Sequence, residues 1–216
     1  MNFAGKKMHE TKPLDKYYLL IQFQNQILLK YGTEFQEFFE KIFKKVYPNF
    51  RPIKPYQGDG GNDGYIKDAG IYYQVYAPKV PKINERKAAK KLQDDFHKLE
   101  KEWNDISSIN EYVFVYNDKY DGSIQLLEAA VTKLNSTNPT IDFKLYLASD
   151  LEQDFFLLNE FDFIELGFNT NRRLAVRNAY DYFNRVETEL DRENAKFAQK
   201  ILEINRNIVI EIDDED

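Results

Sequence analysis

The chain has 216 residues, a formal net charge of −6, and 43% hydrophobic and 15% aromatic residues, enough apolar material for one packed core and too much for a disordered chain. The lack of cysteine excludes disulfides and thiolate metal sites, and two histidines, His9 and His97, exclude an ordinary histidine zinc centre. No apolar run approaches the ~20 residues of a bilayer span and the first residues lack the apolar stretch of a secretory signal, so a cytoplasmic protein with no membrane association is expected.

Residues 1–13 have no apolar periodicity and read as a loose arm. A helix is predicted over Leu14–Tyr31, with Leu20, Phe23, Ile27, Leu28 and Tyr31 on one stripe and Gly32 ending it. Thr33 and Gln36 have capping-box spacing for a second helix, Glu34–Val46, which Pro48 closes. Its apolar face is Phe35, Phe38, Phe39, Ile42 and Val46. At about 100° per residue Glu34 lies on the flank of that face and Glu37 points away. Glu34 is therefore the better candidate for a carboxylate at a buried edge, although helix-start glutamates are also favoured by the macrodipole alone. Phe50–Tyr56 reads as an edge strand interrupted by Pro52 and Pro55, and it carries Lys54.

The next stretch, Tyr56–Lys79, is YQGDGGNDGYIKDAGIYYQVYAPK. Gly58, Gly60, Gly61 and Gly64 surround Asp59 and Asp63, and glycine serves where a backbone takes positive φ or crowds a neighbour. Tyr65 and Ile66 begin a strand, Ala69-Gly70 turns it, and Ile71–Ala77 returns before Pro78. Side chains alternate along a strand, so Tyr72, Gln74 and Tyr76 share a face, and Gln74 is the polar group expected beside Asp63. Asp63, Gln74 and a second carboxylate would form an oxygen-donor set suited to Mg²⁺. The turn is not a P-loop, because Tyr65 and Ile66 stand where Lys and Ser or Thr belong, and Gly61 and Gly70 rule out an EF-hand starting at Asp59. A glycine-rich turn braced by an aspartate explains the same residues without a ligand.

A helix follows over Ile83–Ile106, its first half basic through Arg86, Lys87, Lys90 and Lys91. Like charges at i, i+4 repel by a few tenths of a kcal/mol per pair, so such clustering hints at an external anion such as a phosphate backbone. Asp94 and Asp95 dilute the patch, and His97 reads as a surface residue. Tyr112–Tyr116 is a buried strand, Asn117-Asp118 and Asp121-Gly122 a loop, and Ser123 a cap for a helix over Ile124–Leu134. Ile141–Ala148 alternates as a strand, and Ser149-Asp150 starts a helical turn reaching Leu158. Strands joined through helices imply parallel neighbours and an α/β sandwich. The apolar Phe161–Phe168 reads as a lid or linker. Thr170 caps a long helix to about Asn205, whose seam of Phe183, Val186, Leu190, Phe197, Ile201 and Ile204 suits its own core, a protein partner or a second copy. Ile208–Ile212 would add an edge strand. The expected organisation is an arm at 1–13, a core at 14–160, a linker and helical extension at 161–212, and an acidic tail at 213–216. Net negative charge opposes phosphate binding, but acidic residues concentrate over residues 211–216 and leave room for a local basic surface.

The order GDGGNDG, strand, turn, strand ending QVY resembles the metal-binding core of the PD-(D/E)xK restriction-endonuclease-like superfamily, in particular its Mrr-like branch with GxGGxDG and QxK. The resemblance implies a three-layer α/β/α core with a central mixed sheet and Mg²⁺ or Mn²⁺ held by Asp63 and Gln74, with Glu34 assisting. It further implies a DNA endonuclease, of a kind found among anti-phage defence effectors. The family lysine is replaced by Tyr76, so its ammonium would come from Lys79 or Lys54. The topology is covered over 14–158 and the specific motif over 34–76. A nuclease fold without turnover, attached through its long helix to a partner such as an NTPase, fits the same residues.

Overall fold

The computed structural model describes residues 13–53, 60–81, 85–103 and 105–169. The predicted arm, Lys54, the Thr170–Asn205 helix, the edge strand after it and the acidic tail lie outside these residues. The described residues fall in two compact units, one of residues 13–29 with 157–169 and one within residues 30–156.

In the first unit, α1 (Pro13–Leu29) buries Tyr18, Leu19, Phe23, Ile27 and Leu28. Gln22 clasps Asn169 at both ends: its Nε2 donates to the Asn169 carbonyl (2.7 Å) and its Oε1 accepts from the Asn169 N–H (2.9 Å). The predicted lid is instead a short helix, α6 (Glu160–Glu165), started by a reciprocal cap. Asn159 Oδ1 accepts from the Asp162 N–H (3.1 Å), and Asp162 Oδ2 accepts from the Asn159 N–H (3.2 Å).

The second unit is α/β. Its strands are β1 (Arg51–Pro52), β2 (Gly64–Ile66), β3 (Ile71–Tyr76), β4 (Glu111–Tyr116) and β5 (Asp142–Tyr146). They form one sheet in the order β1-β2-β3-β4-β5, antiparallel through β3 and parallel from β3 to β5. Its helices are α2 (Gly32–Val46), α3 (Glu85–Trp103), α4 (Gln125–Thr137) and α5 (Ala148–Phe155). Parallel strands must be covered on both faces, and β4 is buried at every position from Tyr112 to Tyr116. On one face Tyr72, Tyr112, Phe114, Tyr116 and Phe143 meet Ala88, Leu92, Phe96 and Leu99 of α3 and Leu127, Val131 and Leu134 of α4. On the other, Phe39 and Phe43 of α2 pack with Phe50, Tyr73 and Tyr146 at ring-centroid separations of 5.1 to 6.2 Å.

The predicted capping box of α2 does not form. The helix starts at Gly32, with φ +52° and its N–H donated to the Ala77 carbonyl (2.8 Å), so an orphan donor is satisfied by the end of β3 rather than by Thr33. Gln36 Nε2 turns instead to Glu40 Oε1 (3.1 Å). Nor does Ser123 cap α4, whose N-cap is Ile124 without a side-chain bond.

The outer edge of β5 is closed by a side chain. Asn135 Oδ1 accepts from the Phe143 N–H (2.9 Å) and its Nδ2 donates to the Phe143 carbonyl (3.0 Å), so the Phe143 groups that would template another strand are occupied. Asn135→Ala should cost about 1–3 kcal/mol through the unpaired backbone groups and raise the tendency to aggregate. Urea unfolding and light scattering read these two effects.

Under α5, a buried carboxylate joins three elements. Asp154 accepts from Tyr47 Oη (2.9 Å to Oδ1) and Tyr146 Oη (2.5 Å to Oδ2). Burial pushes its carboxyl above the ordinary range despite the two hydroxyls, which act in the opposite sense. A folded-state pKa raised in this way adds stability that is complete below the unfolded value and is lost as pH rises through the folded value. The stability of the wild type relative to Asp154→Asn should therefore improve as pH falls from 7 towards 4, as read by urea midpoints across that range.

Candidate functional site

The glycine turn is pressed on α3. A Cβ at Gly61 would stand 1.9 Å from the Asp95 carbonyl oxygen and 2.8 Å from the Leu99 nitrogen, and Gly61 has φ +79°. Its own carbonyl accepts from Tyr112 Oη (3.2 Å). The turn therefore enters the layer between sheet and helix and delivers Asn62 and Asp63 buried, at 0% and 5% exposure.

Asp63 and Gln74 meet there. In the antiparallel register Gly64 faces Tyr73 and Tyr65 faces Tyr72, so the residue before Gly64 falls beside Gln74. Asp63 N–H donates to the Tyr73 carbonyl (2.7 Å), and the Asp63 carbonyl accepts from the Ile53 N–H (2.9 Å), which fixes the backbone on both sides. Asp63 Oδ2 accepts from Gln74 Nε2 (2.8 Å) and from the Val75 N–H (2.7 Å). Gln74 Nε2 also lies 3.4 Å from the Val75 carbonyl oxygen. Gln74 Oε1 is buried without a hydrogen-bond partner, as are both polar atoms of Asn62.

These oxygens suit a hard divalent cation. Gln74 Nε2 sits between Asp63 Oδ2 and the Val75 carbonyl, two oxygens that would equally receive a metal. An amide reversed about its last torsion presents its oxygen where its nitrogen now stands. That reversal sets Oε1 against a carboxylate, which a cation between them would relieve. With the amide so reversed, Gln74 Oε1 and the Asp63 carboxylate are oxygen donors of the hard kind that Mg²⁺ or Mn²⁺ takes. Among the described residues no group of three or more His, Cys, Asp or Glu side chains is placed to hold a metal, so any ion there would rest on amide, backbone and water oxygens as well.

The remaining predicted residues are distributed around this pair. Tyr76 is on the same face as Gln74, and burial raises its phenol pKa further from neutrality, so it does not serve as a base. Glu34 is exposed in the first turn of α2, the layer covering the opposite face, two residues beyond the Gly32–Ala77 tie. Lys79 carries its ammonium 5.2 Å from the Tyr31 ring centroid. Arg86 and Lys87 are exposed on α3. Lys90 pairs with Asp94 (2.8 Å) and Lys91 with Asp95 (2.5 Å), so the basic run is partly neutralised along its own helix.

Asp95 corrects the sequence reading. It does offset basic charge, but from inside the fold: it is 2% exposed, and its carboxylate takes both Lys91 and Lys98 (3.0 Å). The signal was its place between Leu92 and Leu99 on the apolar stripe of α3. Asn117 and Asp118, read as part of a loop, are buried together with Lys119 at the end of β4. Asp118 accepts from the Ala148 N–H at the start of α5 (3.0 Å) and from the Gly122 N–H (2.9 Å). Lys119 Nζ donates to the Lys79 carbonyl (3.0 Å), and Lys119 and Tyr120 take φ of 53° and 61°. These contacts tie the ends of β3, β4 and β5 together.

No protein-family model, no curated protein and no solved structure matches the chain.

Proposed function

We propose that the chain is a metal-dependent endonuclease of the PD-(D/E)xK type that acts on DNA, with Asp63 and Gln74 as the side-chain ligands of Mg²⁺ or Mn²⁺ and without Glu34, which stands on the layer over the opposite face. The observation that carries the reading is the buried pairing of Asp63 with Gln74, with a Gln74 oxygen left unpartnered beside it. A divalent ion bound there would lower the pKa of water and offset the charge of a phosphodiester. Asp63 would bring the negative charge for such an ion, and Gln74 and the Val75 carbonyl would be further oxygen donors. In the hydrolysis, water oxygen bonds to phosphorus as the bond to a sugar oxygen breaks; one water proton ends on that oxygen, and the other leaves the new phosphate monoester. Exposed Arg86 and Lys87 suit the flanking phosphates, each being able to displace a counterion from the duplex. An anti-phage role follows only from the company such domains keep.

A second reading has its own observation. The two N–H donors on Asp63 Oδ2 also brace the sheet where β2 begins, as a non-catalytic scaffold requires, and Tyr76 replaces the family lysine. Such a protein would be a binding or regulatory module attached to a larger assembly. Incubation of supercoiled and linear DNA with Mg²⁺ or Mn²⁺ separates the two. Cleavage by the wild type that Asp63→Ala abolishes supports the enzyme; no cleavage by either supports the module.

A further inference from the structure

Resting on the endonuclease reading, we propose that Lys91 supplies the ammonium that meets the scissile phosphate, with Asp95 as the positioning residue that aims it. Among the described residues, Lys79 Nζ lies 5.2 Å from the Tyr31 ring centroid, whereas Lys91 Nζ is 6.0 Å from that of Tyr76, the residue standing where the motif would carry its lysine. Tyr76 and Gln74 share one face of β3, and α3 covers that face. The glycine turn that delivers Asp63 lies against the helix at Asp95 and Leu99, four and eight residues beyond Lys91, so α3 runs over both that turn and the face of β3 that carries Gln74 and Tyr76.

Lys91 is built into its place. Its side chain is about one-third exposed, at 32%, while its carboxylate partner Asp95 is at 2%, so an anion fixed in the core holds the ammonium of a partly exposed side chain. Lys98 pairs with the other oxygen of Asp95 (3.0 Å) and is itself exposed. A lysine is a compact point charge on a flexible stem, suited to a non-bridging oxygen, and the exchange from Asp95 to phosphate needs only stem rotation. Lys91 thereby fills a role that Tyr76, a phenol held protonated by burial, does not.

The test compares steady-state DNA cleavage in Mg²⁺ by the full chain and four variants: Lys91→Met, Lys91→Arg, Lys98→Met and Asp63→Asn. Lys91→Met and Lys98→Met each remove one partner of Asp95, so a purely structural role for these pairs lowers both equally. Expected are a fall in kcat of ~10²-fold for Lys91→Met with KM little changed, partial recovery in Lys91→Arg, and near wild-type kcat for Lys98→Met. Mn²⁺ binding should be retained in Lys91→Met and lost in Asp63→Asn. If Lys91→Met cuts within about threefold of the wild type while Asp63→Asn is inactive, the Lys91 assignment is wrong and the cation site stands. Equal losses in Lys91→Met and Lys98→Met also overturn it, and a wild type that cuts with neither metal overturns both.

Discussion

Asp63→Ala is expected to lose stability and cleavage together, whereas Asp63→Asn loses cleavage alone. In the alanine variant the Val75 N–H and Gln74 Nε2 lose their shared acceptor inside the sheet-helix layer, a loss of about 1–3 kcal/mol for each buried donor left unpaired. Asparagine keeps an oxygen for the Val75 N–H. Both donors meet on Oδ2, so that oxygen still accepts from Gln74 Nε2 as well, and the fold should hold to within about 1 kcal/mol. Neither variant retains the charge a divalent cation needs, and both should cut at least ~10²-fold more slowly. Urea midpoints at an unchanged slope, read beside plasmid cleavage, distinguish the two. Equal stability losses in both variants would show that the charge itself braces the sheet.

Gly61→Ala should be the most damaging single-methyl change in the described chain. Alanine in the left-handed region costs about 1–2 kcal/mol, and crowding a packed interior costs about 1–3 kcal/mol. Here the obstacle is helix backbone, at 1.9 Å and 2.8 Å, which cannot swing aside. A total of roughly 2–5 kcal/mol is expected, with the site loosened because the same turn delivers Asp63. Gly122 is the control. It has φ +88° but nothing within 4 Å of an added Cβ, so Gly122→Ala should pay only the conformational term of about 1–2 kcal/mol. Urea midpoints for the two variants provide the comparison.

The sequence showed those parts of the fold that local periodicity controls. Phe35, Phe38, Phe39 and Ile42 are the buried face of α2, and the alternation of β3 put Gln74 on the face where Asp63 meets it. The parallel order of β3, β4 and β5 followed from the helices between them. Long-range partners were not legible. Gly32 reads as a helix stop until the Ala77 carbonyl is placed beside it, and Phe161–Phe168 reads as a linker until Asn159 and Asp162 cap each other. Asp95 looked like a solvated acid because charge was read along the chain, while its burial depends on the helix face it occupies. Lys91 could be counted among basic residues, but its neighbourhood to Tyr76 depends on how α3 lies over β3.

The most direct measurement is a Mn²⁺ titration followed by the electron paramagnetic resonance of the free ion. A shared cation pocket requires the wild type to take up one Mn²⁺ at this site, with that binding lost in Asp63→Asn and weakened ~10- to 100-fold in Gln74→Leu. Uptake that is the same in all three proteins, or absent from the wild type, would contradict it.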